Sequence, residues 1–164
     1  MATPILMLAL MVGPWLFLQT VKLIRRRDST VETRSAAATG LFLLFAFTAI
    51  GHFAQTESMS QMFPDWVPAK VTLVYLSGVV EFLLAVGFLW PASRRAAGWA
   101  AISLLVLFFP LNVYAAIVHA PIGGHAWGPI YLLVRGPLQV AILVWVYWFT
   151  IRGRSGARSM RVAS

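Results

Sequence analysis

The chain contains no cysteine, which excludes disulfide frameworks, thiolate metal sites and dithiol relays from its own chemistry. Charge is almost as scarce. Asp, Glu, Lys and Arg make up 11% of the residues, against about a quarter in an ordinary soluble domain. P-loop, dinucleotide, nucleophile-elbow and zinc-protease motifs are absent too, so the soluble enzyme classes they mark find no support. What is present is apolar: 60% of the 164 residues are of the AVILMFWYC class. They lie in long runs, not in the period-two alternation of an outer-membrane barrel. The expected fold is all-α, a polytopic membrane helix bundle in a single domain.

Apolar segments run over Pro4–Ile24, Ser35–Gln55, Val71–Trp90, Ala96–Val118 and Ile130–Ile151. Each is close to the ~20 residues that cross a bilayer at 1.5 Å rise per residue. Five transmembrane helices follow, and the short joins between them require antiparallel neighbours. The chain divides into a first helix with a basic loop (1–34), a four-helix region (35–151) and a basic tail (152–164). Gly13 and Pro14 predict a kink in the first helix, because Pro14 cannot donate to the Leu10 carbonyl.

The net charge of +8 is explained by placement. Lys22, Arg25, Arg26, Arg27, Arg34, Arg94, Arg95, Arg152, Arg154, Arg158 and Arg161 fall at ends that five alternating spans put on one side, and Lys70 alone falls on the other. The positive-inside rule then predicts an N-terminus outside and a C-terminus in the cytoplasm of a bacterial inner membrane. The first segment lacks the positive n-region of a secretory signal and is expected to be retained. Membrane lipids are the expected partners of the basic tail, and nucleic-acid binding gets no support. Between the second and third spans, Met59, Met62, Phe63, Trp66 and Val67 form a stripe at helical spacing that Pro64 interrupts. It predicts a short amphipathic elbow on the outer leaflet, with Trp66 at the interface and Asp65 in water.

Five polar residues stand inside or near the spans. Glu81 lies near mid-bilayer, where a charged acid costs about 2.5–3.5 kcal/mol on insertion scales. Its neighbours Ser77, Gly78 and Ala85 are small, so this face can approach another helix closely. Glu81 is either a protonated acid bonded inside the bundle or one that relays protons or holds a cationic or quinol-like ligand. Arg135 stays charged at any accessible pH, with Gln139 one turn deeper on the same face. Its expected partner is Glu81, across a vertical offset of roughly 8 Å that tilt, reach or a water must bridge. The alternative is snorkelling to headgroups. Asn112 follows Pro110, which frees the Val106 carbonyl, and Asn112 either settles backbone groups or orients a ligand. His52 shares its helix face with Thr48 and Gln55.

Topology allows His52, Glu81, Asn112, Arg135 and Gln139 to converge on one outward-facing pocket. They are the ligand-binding candidates, and no catalytic residue is assigned. Cu(I) on His52, His119, Met59 and Met62, or a haem between His52 and His119, matches no strong spacing, so no metal site is expected.

The segments Gly51-His52-Phe53, Met62-Phe63-Pro64-Asp65-Trp66-Val67-Pro68, Leu76-Ser77-Gly78-Val79-Val80-Glu81, Phe108-Phe109-Pro110-Leu111-Asn112-Val113-Tyr114 and Arg135-Gly136-Pro137-Leu138-Gln139 resemble those of DoxX-like bacterial membrane proteins. The resemblance runs from about Gly40 to Phe149. It implies a four-helix bundle, to which the first helix here is an addition. It also implies a redox- or quinone-associated membrane subunit, working with a redox partner protein and a quinone-like ligand. Subunits of thiosulfate:quinone oxidoreductase and proteins of thiol or catechol stress responses belong to that family. Leu111 stands where the family more often has a small residue. A eukaryotic branch acts as an assembly chaperone, so a non-enzymatic membrane chaperone or complex-assembly factor is the alternative, and whether the chain is an enzyme stays open.

Overall fold

The computed structural model describes residues 2–25 and 30–152. Arg26, Arg27, Arg154, Arg158 and Arg161, and with them the tail from 153 onward, lie outside the described residues. The elements in order are α1 (Ala2–Arg25), α2 (Thr30–Ala54), α3 (Thr56–Ser60), α4 (Lys70–Leu89), α5 (Arg94–Ile117), a 3₁₀ segment (His125–Tyr131), α6 (Leu132–Val146) and a π-helical turn (Tyr147–Ile151). No strand occurs among the described residues. Five helices are long and apolar enough to span a membrane: Thr3–Leu23, Glu32–Ala54, Lys70–Leu89, Arg94–Ile117 and His125–Ile151. The fold is an all-α helix bundle.

The bundle is apolar inside and out, as expected where lipid replaces water around it. Its interior is built from Met7 and Met11 of α1, Leu41, Leu44 and Phe45 of α2, Leu84, Ala85 and Phe88 of α4, Ala97 and Ala101 of α5, and Leu138, Ile142 and Val146 of α6. Phe45 and Phe88 pack at 5.4 Å between ring centroids. Phe17, Leu83, Leu107 and Leu133 cover the outward faces and are exposed. With the same kind of surface inside and outside, close packing must hold the helices together, and small residues supply it. Gly40 of α2 lies directly against the Met11 carbonyl of α1, where an added Cβ would overlap main chain that has nowhere to move.

Three joins have identifiable causes. Between α4 and α5, Pro91 cannot continue a helix, and the orphan carbonyls at the α4 end are taken up by donation from Ser93 Oγ to Gly87 O (2.8 Å) and from Arg94 Nε to Phe88 O (2.9 Å). Between α2 and α4, the chain turns through α3, which ends at Ser60, one turn before the Pro64 that interrupts the stripe. The stripe is divided. Met59 and Met62 turn inward against Ala115, Ala120 and Ile122, because the α5 end offers an apolar partner, whereas Trp66 is 83% exposed. Asp65 is exposed and pairs with Lys70 at 3.0 Å. The last span starts earlier than expected, at His125: a 3₁₀ segment bends at Gly128 (φ 73°) before α6 begins. Pro14, Pro110 and Pro137 all lie within helices that run through them.

Gly40→Ala is expected to lower the stability of the detergent-solubilised protein by about 1–3 kcal/mol through overpacking against the Met11 carbonyl. Gly13→Ala, where nothing lies within 4 Å of the added carbon, should leave thermal unfolding unchanged or slightly raised. Equal effects at the two positions would contradict the close α1–α2 contact.

Candidate functional site

Helix α4 carries Ser77 and Glu81 one turn apart on its buried face, at 8% exposure each. Gly78 lies between them, and a Cβ there would stand 2.8 Å from His52 Cβ. This glycine lets α2 come close enough to lay the His52 ring along the Ser77–Glu81 edge. His52 Nε2 is 3.4 Å from Glu81 Oε1, and His52 Nδ1 is 2.9 Å from Ser77 Oγ. The Ser77 hydroxyl also lies 2.8 Å from the Val74 carbonyl, to which it can donate. The result is a continuous polar chain, hydrogen-bonded from the Val74 carbonyl through Ser77 to His52 and carried on by the His52–Glu81 ion-pair contact, that ends inside the bundle.

At that end lies a cavity of about 50 Å³, lined by Met7, Leu44, Phe45, Thr48, Glu81, Leu105, Arg135, Gln139 and Ile142. A space of this size holds a few waters or the polar edge of a larger molecule. Arg135 does not reach Glu81 directly: the basic side chain within 4 Å of the carboxylate is His52, and the Arg135 guanidinium lies with Nη1 4.0 Å from Met7 Sδ on α1. The expected Glu81–Arg135 pair is therefore replaced by a cavity that both line. The physical reason is the offset along the helices, which the Gly78 contact leaves to His52 to fill. Glu81 Oε2 and Arg135 Nε are both buried and without a hydrogen-bond partner.

Gln139, one turn after Arg135, donates from Nε2 to the Leu105 carbonyl at 2.6 Å and so ties α6 to α5 beside Pro110. Asn112 stands apart from the cavity lining. Its Nδ2 donates to Phe108 O of its own helix at 2.9 Å, and the Val106 carbonyl freed by Pro110 is not its acceptor. Of the five candidates, the structure brings Glu81, Arg135 and Gln139 to one cavity, adds His52 through its contact with Glu81, and leaves Asn112 outside.

Several contributors are less visible in the sequence. Ser77 reads there as a small packing residue, and its signal is the i−4 relation to Glu81. Met7 lies in an apolar stretch of α1, Pro4 to Leu18, with no polar side chain but the Trp15 indole to mark it. His125 is 4% exposed, with Nδ1 donating to Ile122 O at 2.8 Å, Nε2 buried without a partner, and its ring packed edge-on against Tyr131 at 4.9 Å. Its signal was hidden by reading residues 119–129 as loop. Among the described residues, no three His, Cys, Asp or Glu side chains gather as metal ligands.

A family model described as a domain of unknown function, DUF8561, matches residues 41–150, more than half of the chain. The chain belongs to this family. No curated protein and no solved structure matches it. The DUF8561 segment contains His52, Ser77, Glu81, Arg135 and Gln139 and omits α1, so Met7 closes the cavity from outside the matched region.

A double-mutant cycle on His52→Ala and Glu81→Ala should give a coupling of about 1–3 kcal/mol in unfolding measurements. The same cycle on Glu81 and Arg135, which do not touch, should give less. The reverse order would place the acid's main partner on α6.

Proposed function

We propose that this chain is a DoxX-like subunit of a bacterial inner membrane, N-terminus outside and C-terminus in the cytoplasm, whose polar cavity opens outward and receives the oxygen-bearing edge of a quinone-like ligand. One observation carries the reading. A buried acid and a half-buried arginine, each with a buried polar atom that has no partner, face a shared space too small for a whole ring and large enough for its oxygen. An unmet donor and an unmet acceptor in such a place favour a ligand that supplies both. The resemblance of the segments around His52, Glu81 and Arg135 to DoxX-like proteins supports a redox- or quinone-associated role. The bias of basic residues to one set of helix ends supports the orientation.

In this reading Arg135 donates to a ligand oxygen, and Glu81 accepts from a ligand hydroxyl. Gln139, whose Nε2 is committed to Leu105, contributes its carbonyl oxygen as an acceptor. His52 Nε2 takes the proton from Glu81, and Ser77 Oγ accepts the hydrogen bond of the Nδ1–H on the other side of the ring. A quinone-like ligand supplies the two-electron chemistry, and a partner protein's redox carrier supplies or receives the electrons. Asn112, bonded within α5, fixes the helix near Pro110 instead of touching the ligand.

A second reading is favoured by that same feature. Asn112 and Gln139 both give an amide N–H to a backbone carbonyl, as interhelical and intrahelical glue would. This suits a membrane chaperone or assembly factor. The two separate in one experiment: mass analysis of an organic extract from protein purified in mild detergent. Bound quinone is expected in the wild type, and its loss in Arg135→Ala that remains folded. A wild type free of quinone, or unchanged retention in the variant, would reject the quinone assignment and leave the assembly role.

A further inference from the structure

Arg135 carries a fixed positive charge into the cavity with no carboxylate oxygen within 4 Å among the described residues. The acid in the lining is Glu81. From the other elements packed around the space, α2 presents His52 behind Glu81, while α1 and α5 add only Met7 and Leu105 to the lining. Tyr131 and His125, before α6, are the remaining titratable side chains close enough to act electrostatically with Arg135.

Hydrogen-bond logic gives the Ser77–His52 bond two arrangements, which leave the Ser77–His52–Glu81 chain in states that differ by one proton. In the first, the Ser77 hydroxyl donates to the Val74 carbonyl, which can only accept. Ser77 Oγ must then receive the Nδ1–H of His52. One more proton lies between His52 Nε2 and Glu81 Oε1, and the pair is neutral overall whichever atom holds it. In the second, the hydroxyl turns to donate to a bare His52 Nδ1, and Nε2–H faces an ionised Glu81 at 3.4 Å. The pair now carries one negative charge. Loss or gain of that one proton, accompanied by rotation of a single hydroxyl within reach of both acceptors at 2.8 and 2.9 Å, interconverts the states.

The electrostatic consequence concerns Arg135. When the chain has lost its proton, the Glu81 charge offsets the guanidinium. When the proton is present, the cavity holds an uncompensated positive charge in a low-dielectric interior, which is strongly unfavourable unless an anion enters. We propose that the cavity takes up a small monovalent anion, or the anionic oxygen of a larger ligand, together with one proton. The anion is held by Arg135 and the proton by the Ser77–His52–Glu81 chain. This rests on the reading of the cavity as a ligand pocket, and not on the ligand being a quinone. A volume of about 50 Å³ accommodates an ion of a few heavy atoms.

Formate is the probe: a planar, oxygen-bearing monoanion of suitable size. Calorimetric titration of the full-length protein in detergent, in two buffers of different ionisation enthalpy, should show one proton taken up per formate bound. Affinity should fall about tenfold per pH unit on the alkaline side, by linkage. Arg135→Ala should abolish binding. Glu81→Gln, which removes the offsetting charge, should keep formate binding while losing both proton uptake and pH dependence. Ser77→Ala deprives the protonated imidazole of its Nδ1 acceptor and should weaken formate at neutral pH. It serves as the independent variant if Glu81→Gln does not fold. Formate binding without proton uptake, pH dependence that survives Glu81→Gln, or no formate binding to the wild type would each overturn the proposal. Quinone retention without proton-coupled formate binding would sink this inference and leave the pocket's quinone assignment standing; proton-coupled formate binding in a quinone-free protein would do the opposite.

Discussion

A guanidinium that cannot shed its charge, half-buried in an apolar bundle with no carboxylate oxygen within 4 Å among the described residues, is the constraint around which the rest of the structure is arranged. Burying such a group is costly by several kcal/mol unless geometry and hydrogen bonding repay it. Here the repayment is incomplete, since Arg135 Nε has no partner and Nη1 meets only a thioether. Glu81, the natural counter-ion, is engaged by His52 instead. The bundle therefore keeps a charged group and an acid facing the same space without joining them. A direct pair would have closed the cavity, and a well-packed apolar substitute would have served stability better. The separation makes sense if something else occupies the gap.

The separation is set by packing at a distance from the charges. Gly78 brings α2 and α4 together at the His52 ring, which fixes where the acid's first partner stands. On the other side, Arg135, Gln139, Ile142 and Val146 follow one another along one face of α6. Gln139 is anchored to Leu105 of α5, so the rotation of α6, and with it the direction of Arg135, is determined one turn away from the guanidinium. Helix α1 completes the enclosure. It lies outside the DUF8561 match, yet Met7 borders the cavity and Met11 packs in the core against Gly40. A thioether is soft and polarisable, so Met7 can rest against a cation without demanding a fixed geometry. Helix α1 thus closes the polar space with a side chain that does not neutralise Arg135 and takes only one weak hydrogen bond from its Nη1.

The five spans were legible in the sequence because length and apolarity are one-dimensional properties. Their ends came within a few residues except at the last, where Gly128–Pro129 reads as loop and in fact sits inside a 3₁₀ approach to α6. The polar set was legible for a related reason: a charge or amide in a membrane span is too costly to be accidental, so Glu81, Arg135 and Gln139 declare themselves. Which of them touch was not legible. Contact depends on the rotation and offset of each helix, and those follow from close approaches such as Gly78 against His52, which a linear pattern does not encode. Asn112 shows the opposite failure. Its type and depth match the others, but a side-chain bond to Phe108 of its own helix removes it from the cavity. The elbow was legible as a break at Pro64, whereas the inward turn of Met59 and Met62 depends on Ala115 and Ile122, more than fifty residues away in the chain.

Serine at position 77 changes what the acid–histidine pair can do. With an apolar residue there, His52 Nδ1 would face a helix surface with nothing to give or take, and the ring would lose its Nδ1 partner in either protonation state. A hydroxyl both donates and accepts. Because Ser77 Oγ lies within hydrogen-bonding distance of a backbone carbonyl and of the imidazole, it matches either state of the ring by turning about one bond. The hydroxyl is intrahelical to Glu81 and interhelical to His52, so the Gly78 contact that brings α2 and α4 together also sets the proton-holding chain. Packing and acid–base chemistry at this site are therefore inseparable: a substitution that spreads α2 from α4 must disturb the proton as well as the fold.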